Sequence, residues 1–192
     1  MLTESAAWKR LTRPLREWRW RKRGWSAADD TQFHDTLFTP GAYGPFDPSY
    51  PGDLTIRRFA DHAEPRIADA ASVLDLGCGP GEITCELARR LPAARFVGVD
   101  HSEQAIRAAR ANAARLALTN ITFEVADVEG YTPAASVDLV CMFDAFHHLL
   151  APKAFVARMR AHAAAFLLIE PAGNSEQGVP PARVGPLTVR TR

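Results

Sequence analysis

The chain has almost no net charge: 23 Lys and Arg against 22 Asp and Glu leave +1 over 192 residues. Bulk charge therefore recruits no polyanion. Cysteine is scarce, with Cys78, Cys85 and Cys141 alone. The number is odd and the spacing is not that of a zinc site, which reads as free thiols in a reducing cytosol. There is no long apolar run and no secretory leader pattern, so neither secretion nor membrane crossing is expected and the location predicted is cytoplasmic. No compact His/Asp/Glu cluster stands at ligand spacing, so no metal is predicted. No internal repeat is visible. What remains is the composition of an ordinary globular chain, long enough for one domain with a real core.

The stretch that organises the chain is Val73-Leu74-Asp75-Leu76-Gly77-Cys78-Gly79-Pro80-Gly81-Glu82. Apolar residues around one acid run into three glycines at alternate positions, and a helical pattern from Ile83 to Leu91 follows at once. This predicts a buried strand, a tight turn and a helix that starts where the turn ends. Glycine lets a ligand approach the backbone and admits positive φ. The helix start then offers unpaired N–H groups. A dinucleotide turn has the spacing G-x-G-x-x-G. Here it is G-x-G-x-G with Asp75 two residues upstream, and a carboxylate there repels a pyrophosphate and suits a cation.

Asp75-Leu76-Gly77-Cys78-Gly79-Pro80-Gly81 resembles the first motif of class I S-adenosylmethionine-dependent methyltransferases. The resemblance implies a Rossmann-like three-layer α/β/α fold with a mostly parallel sheet, S-adenosylmethionine as cofactor, and Asp75, Gly77, Cys78, Gly79 and Gly81 around the cofactor's amino acid end. The chain continues in the same pattern. Arg95–Asp100 reads as a second strand whose terminal acid can accept both ribose hydroxyls, with His101 beside it and Ser102 as N-cap of a helix Glu103–Leu116. Ile121–Val125 reads as a third strand. In the family the acid just beyond it contacts the adenine amino group, which implies that role for Asp127, next to Val128. Three acids thus stand at the carboxyl ends of three successive strands, the edge where open α/β sheets bind ligands.

Val137–Phe143 reads as a fourth strand, continuing into Asp144-Ala145-Phe146-His147-His148-Leu149. This is similar to the stretch after the fourth strand of many small-molecule methyltransferases. It implies that Phe143 and Asp144 border the methionine part of the cofactor and that His147 or His148 acts as a base; packing or capping of the next helix is the other reading of the histidines. Pro152–Ala164 reads as a helix and Ala165–Ile169 as a fifth strand ending at Glu170, which is either a base or binder of a cationic substrate or a structural acid. The expected chemistry is methyl transfer to an O, N or C nucleophile of a small-molecule substrate. A non-catalytic subunit that binds the cofactor or a partner chain is the alternative. RNA or protein methylation is a further one, not favoured because no Asn-Pro-Pro-Tyr-like run follows the fourth strand.

The chain divides into residues 1–52, 53–171 and 172–192. The first 25 residues carry a balance of +6, which leaves −5 for the rest. Trp8, Trp18, Trp20 and Trp25 lie there among Lys9, Arg10, Arg13, Arg16, Arg19, Arg21, Lys22 and Arg23. Basic residues between aromatics suit an anionic surface, a partner chain, or a helix folded onto its own domain. Residues 31–52, rich in Pro, Gly and aromatics, read as a cap over the substrate pocket or as a linker. Asp53–Ala71 reads as a helix that buries Ile56, Phe59, Ala63 and Ile67. Residues 172–192 are too short for the helix and two strands with which the family usually closes its sheet. The fold is therefore expected to be incomplete at the C-terminal end. Its apolar fifth strand should then lie at an edge, which predicts a homo- or hetero-oligomer formed through that edge, unless the 192 residues are a truncated product of a longer natural protein.

Overall fold

The computed structural model describes residues 54–170 and the strand 185–190, without the side chains of Leu54, Thr55, His147, Glu170 and that strand. The readings of residues 1–52 and of residues 172–184 lie outside the described residues. The elements are α1 (Leu54–Ile67), β1 (Ser72–Leu76), α2 (Glu82–Arg90), β2 (Arg95–Asp100), α3 (Glu103–Arg115), β3 (Ile121–Val125), β4 (Val137–Phe143), a 3-10 turn (Phe146–His148), α4 (Pro152–Met159), β5 (Ala163–Glu170) and β6 (Gly185–Arg190). The sheet order is β3-β2-β1-β4-β5-β6. The first five strands are parallel and β6 is antiparallel to β5. The order reverses between β1 and β4, which opens a crevice at their carboxyl ends.

Side-chain alternation along the strands feeds both faces of the sheet. Leu74, Leu76, Val140, Met142, Phe166 and Leu168 point to one face, where Phe155 and Met159 of α4 cover them. Val73, Leu139, Cys141, Phe143, Leu167 and Ile169 point to the other, against Phe59, Ala63 and Ile67 of α1 and Leu87 of α2. Ile56 instead packs on a third cluster built from Cys85, Ile106, Ala109 and Phe123. Each fully buried Leu or Phe contributes roughly 1.5–3 kcal/mol. One buried charge on this side is paired. Glu86 of α2, 2% exposed, accepts from Arg89 and Arg90. Arg90 also reaches Asp61 and Glu64, which ties α2 to α1. Burial pushes the Glu86 carboxyl up, but the two arginines outweigh it and hold it below its ordinary value.

Two expectations are corrected. The helix expected to run to Ala164 stops at Met159, and β5 starts at Ala163. The alanines of residues 161–165 favour a helix, but Ala163 and Ala165 pair with Val137 and Leu139, so strand pairing overrides propensity. The second correction concerns β5, which is not an edge. Residues 185–190 lie antiparallel beside it from Ala165↔Arg190 to Glu170↔Gly185. Among the described residues one strand stands where the closing pair was expected, and β5 is no longer the exposed edge on which the partner expectation rested. The other loop of note is residues 126–136 after β3, which carries no helix; Val128 and Tyr131 from it pack on the α4 side of the sheet.

Candidate functional site

The chain leaves β1 through a turn in which Gly77, Gly79 and Gly81 take φ of 78°, 53° and 69°. This is the left-handed region, open to glycine at little cost. Space forbids other residues as well. A Cβ on Gly77 would lie 2.7 Å from the Ala145 Cβ, and one on Gly81 2.7 Å from the Phe123 ring. The turn is held over the end of β2, because Gly77 and Cys78 N–H both donate to the Val99 carbonyl at 2.8 and 3.1 Å. Asn112 of α3 donates to the Pro80 carbonyl at 3.0 Å. Gly81 is the N-cap of α2 and brings no side chain, so the helix starts without a side-chain cap.

Asp75 sits behind this turn, 1% exposed. Thr84, on the first turn of α2, donates its hydroxyl to Asp75 Oδ2 at 2.5 Å. Asp75 Oδ1 is buried and has no hydrogen-bond partner among the described residues. Burial drives the carboxyl up to about 7; the Thr84 hydroxyl opposes this, the Asp100 charge adds to it, and the Cys141 thiol opposes it. An orphaned carboxylate oxygen in a dry site is costly. A ligand ammonium would remove that cost.

Asp100, 7% exposed at the end of β2, uses its carboxylate as a brace. Oδ2 accepts from Gly79 N–H and Oδ1 from Ser102 N–H, both at 2.9 Å. Each oxygen keeps a second lone pair, enough for a diol. Ser102 caps α3 through Ala105 N–H at 3.2 Å, as its position suggested. His101 is half-buried beside it. Asp127 is exposed beyond β3, and its Oδ1 accepts from Glu129 N–H at 2.9 Å, closing a tight turn with Val128 buried inside. These carboxylates stand on one edge of the sheet, as anticipated.

Asp144 lies at the same edge, exposed, with φ 52° and its N–H donating to the Ile169 carbonyl at 2.9 Å. Phe143 turns the other way: its ring meets Phe59 edge-on at 6.2 Å within the core. His148 is half-buried on the 3-10 turn. The readings of His147 and Glu170 rest on side chains outside the described residues; their backbones stand after β4 and at the end of β5. The thiols are not poised for reaction. Burial pushes Cys85 up to about 12 and Cys78 and Cys141 well above the ordinary thiol range. Among the described residues no group of three or more His, Cys, Asp or Glu could hold a metal, and no helix is long and apolar enough to cross a membrane.

Sequence reasoning missed three residues of the site. Thr84 was legible only as a polar residue on the buried side of α2. Asn112 and Glu129 act across 32 and 21 residues of chain, where local pattern carries no signal.

Comparison with known proteins agrees with this fold. The chain is 49% identical over 72 residues to trans-aconitate 2-methyltransferase of Azoarcus sp. (strain BH72), covering 38% of this chain and 26% of that protein. It is 38% identical over 110 residues to the protein of that name from Streptomyces avermitilis, covering 53% and 40%. The chain thus spans less than half the length of these curated relatives. Its fold is similar to that of coclaurine N-methyltransferase bound to N-methylheliamine and SAH, with TM-score 0.58 at 19% identity over 83% of this chain and 56% of that one. A methyltransferase from Thiobacillus denitrificans in complex with S-adenosyl-L-homocysteine gives TM-score 0.53 at 23% identity over 72% and 54%. The family model described as "Methyltransferase domain" matches residues 67–167, more than half of the chain, and the chain belongs to that family.

Proposed function

We propose that the carboxyl edge of β1, β2 and β3 binds S-adenosylmethionine and that the protein transfers the cofactor's methyl group to a small-molecule nucleophile. The observation that carries this reading is the buried Asp75 Oδ1, without a partner among the described residues, behind a turn in which Gly77, Gly79 and Gly81 all take positive φ. A ligand with a cationic amino acid end and a close approach to the backbone fits both features. Asp75 would receive its ammonium, Asp100 its ribose hydroxyls through the lone pairs that Gly79 and Ser102 leave free, and Asp127 and Val128 its adenine, with His101 alongside.

When bound, the cofactor supplies a methyl group already activated by the positive sulfur. The chain's part is then to orient and to exclude water, and orientation can supply roughly 7–11 kcal/mol of such a barrier. Asp144 and the 3-10 turn follow β4 at the same edge of the sheet, and on this reading they would border the acceptor. His147, His148 and Glu170, whose backbones stand after β4 and at the end of β5, are the residues this reading offers as the base. The relatives' name makes trans-aconitate, a small polycarboxylate, the first acceptor to test.

Isothermal titration of the purified chain with S-adenosylhomocysteine tests the cofactor assignment, and mass spectrometry of trans-aconitate incubated with S-adenosylmethionine tests the transfer. One bound equivalent is expected, and no binding overturns the reading. Binding without product from a panel of carboxylic acids, amines and phenols would favour a cofactor-binding subunit.

A further inference from the structure

The turn after β3 and the turn after β4 are tied together by one side chain. Glu129 Oε1 accepts from two consecutive backbone amides, Leu150 N–H and Ala151 N–H, the second at 3.1 Å. Ala151 is the N-cap of α4 and has no side-chain cap of its own. Glu129 supplies it from another loop, and a carboxylate on successive N–H groups makes strong, charge-assisted bonds. On its own side Glu129 is held by the Asp127 carboxylate, which accepts Glu129 N–H at 2.9 Å. Arg158 of α4 reaches back to the Val128 carbonyl at 3.4 Å. The segment fixed in this way carries Phe146 and Leu149 as buried anchors and His147 and His148 between them. It begins at Ala145, the residue that packs over Gly77.

We propose that Glu129 is a positioning residue that couples the cofactor side of the site to the acceptor side, so that a ligand engaged at Asp127 and Val128 orders the segment 146–151 through the Glu129 carboxylate. The inference rests on the cofactor reading above. Occupancy at Asp127 stiffens the turn that aims Glu129. The two amides Glu129 holds then set where the histidine-bearing segment stands relative to Asp144. No new contact between cofactor and segment is required, because the turn and the carboxylate between them carry the effect.

Hydrogen exchange read by mass spectrometry, with and without S-adenosylhomocysteine, tests it on the wild-type chain and on Glu129→Ala and Glu129→Gln. In the wild type, ligand should slow exchange across residues 146–151. In Glu129→Ala the Leu150 and Ala151 amides should exchange about tenfold faster without ligand, the loss of one net hydrogen bond. The ligand-induced protection of 146–151 should also disappear when it is read at saturating ligand. Glu129→Gln keeps an acceptor oxygen and should restore most of the protection. Full ligand-induced protection in Glu129→Ala, or no rescue by Glu129→Gln, overturns the coupling. Ligand binding to the wild type without protection of 146–151 overturns the coupling alone, whereas absence of binding overturns the cofactor reading and the coupling with it.

Discussion

Two aspartates sit at opposite ends of the same sheet and are treated in opposite ways. At the amino end, Asp138 of β4 is exposed, and its Oδ2 accepts from Ala71 N–H and Ser72 N–H at 2.9 Å and from the Ser72 hydroxyl at 3.0 Å. The Ser72 hydroxyl in turn accepts Asp138 N–H at 3.0 Å. The Ser72 hydroxyl above all holds the Asp138 carboxyl below its ordinary value; burial, the next largest effect, pushes it up, and the two amides and the Arg95 charge add to the lowering. At the carboxyl end, Asp75 of β1 is buried, has one donor at 2.5 Å and one oxygen without a partner among the described residues, and is pushed up to about 7. The first carboxylate is a finished clasp that sets the register of β1 on β4. The second is an unfinished one, and the destabilisation its charged form carries is relieved by protonation below about pH 7 or, on the reading proposed above, by a cationic ligand. On the proposed reading, stability and ligand binding thus fall to the same residue type at the two ends of adjacent strands.

The largest expected effect breaks the unfinished clasp. Asp75→Asn removes the anion but keeps an acceptor for Thr84, and affinity for S-adenosylhomocysteine should fall at least about a hundredfold, the loss of a buried charge-assisted contact. Stability of the ligand-free chain should move the other way. The Asp75 value in the folded chain lies above the ordinary 3.8, so the folded state holds a proton that the unfolded state has lost. Its stabilisation is complete below about 3.8, declines as pH rises to about 7, and is flat above that. The gap corresponds to roughly 4 kcal/mol as an upper bound. Urea unfolding of both chains at pH 5 and pH 8 should therefore show Asp75→Asn gaining on the wild type at the higher pH. A constant difference between the two pH values would contradict the burial assigned to Asp75.

A smaller effect is expected from opening the finished clasp. Asp138→Ala leaves the Ala71 and Ser72 amides and the Ser72 hydroxyl to solvent and should cost roughly 1–2 kcal/mol at neutral pH. Because the Asp138 carboxyl is depressed in the fold, its contribution is present above the ordinary aspartate value and is lost as pH falls through the lowered one. The deficit should shrink in acid, and ligand affinity should stay within about twofold. A large loss of affinity would mean that the two ends of the sheet are not independent.

What could be read in the sequence follows from how far each interaction reaches along the chain. β1, β2, β3 and β4 were legible because apolar runs bounded by acids and glycines encode them locally, and Asp75, Asp100 and Asp127 were legible because strand ends are. Asp138 looked like an acid inside an apolar strand. Its donors lie 66 and 67 residues away, and no local pattern announces them. The same holds for Glu129. The helix boundary at Met159 was misread because an alanine run favours a helix until a neighbouring strand claims it. The cover on β5 was missed because Pro186-Leu187-Thr188-Val189 is a short strand after a polar stretch, and only pairing with Phe166–Ile169 makes it one.

The finest test adjusts the unfinished clasp without removing it. Thr84→Val is nearly isosteric and deletes the one hydroxyl that donates to Asp75 Oδ2. That hydroxyl favours the charged carboxylate, so its loss should raise the Asp75 value beyond about 7. A cationic ligand end needs the carboxylate. Wild-type affinity for S-adenosylhomocysteine should accordingly rise with pH up to about 7 and then level, with proton release on binding below that point. In Thr84→Val the same rise should continue to higher pH, and the affinity deficit, about tenfold at pH 7 for one net hydrogen bond, should narrow as pH increases. Titration in two buffers of different ionisation enthalpy counts the released proton directly. A variant that lost affinity equally at every pH would show that Thr84 shapes the turn instead of tuning the acid behind it.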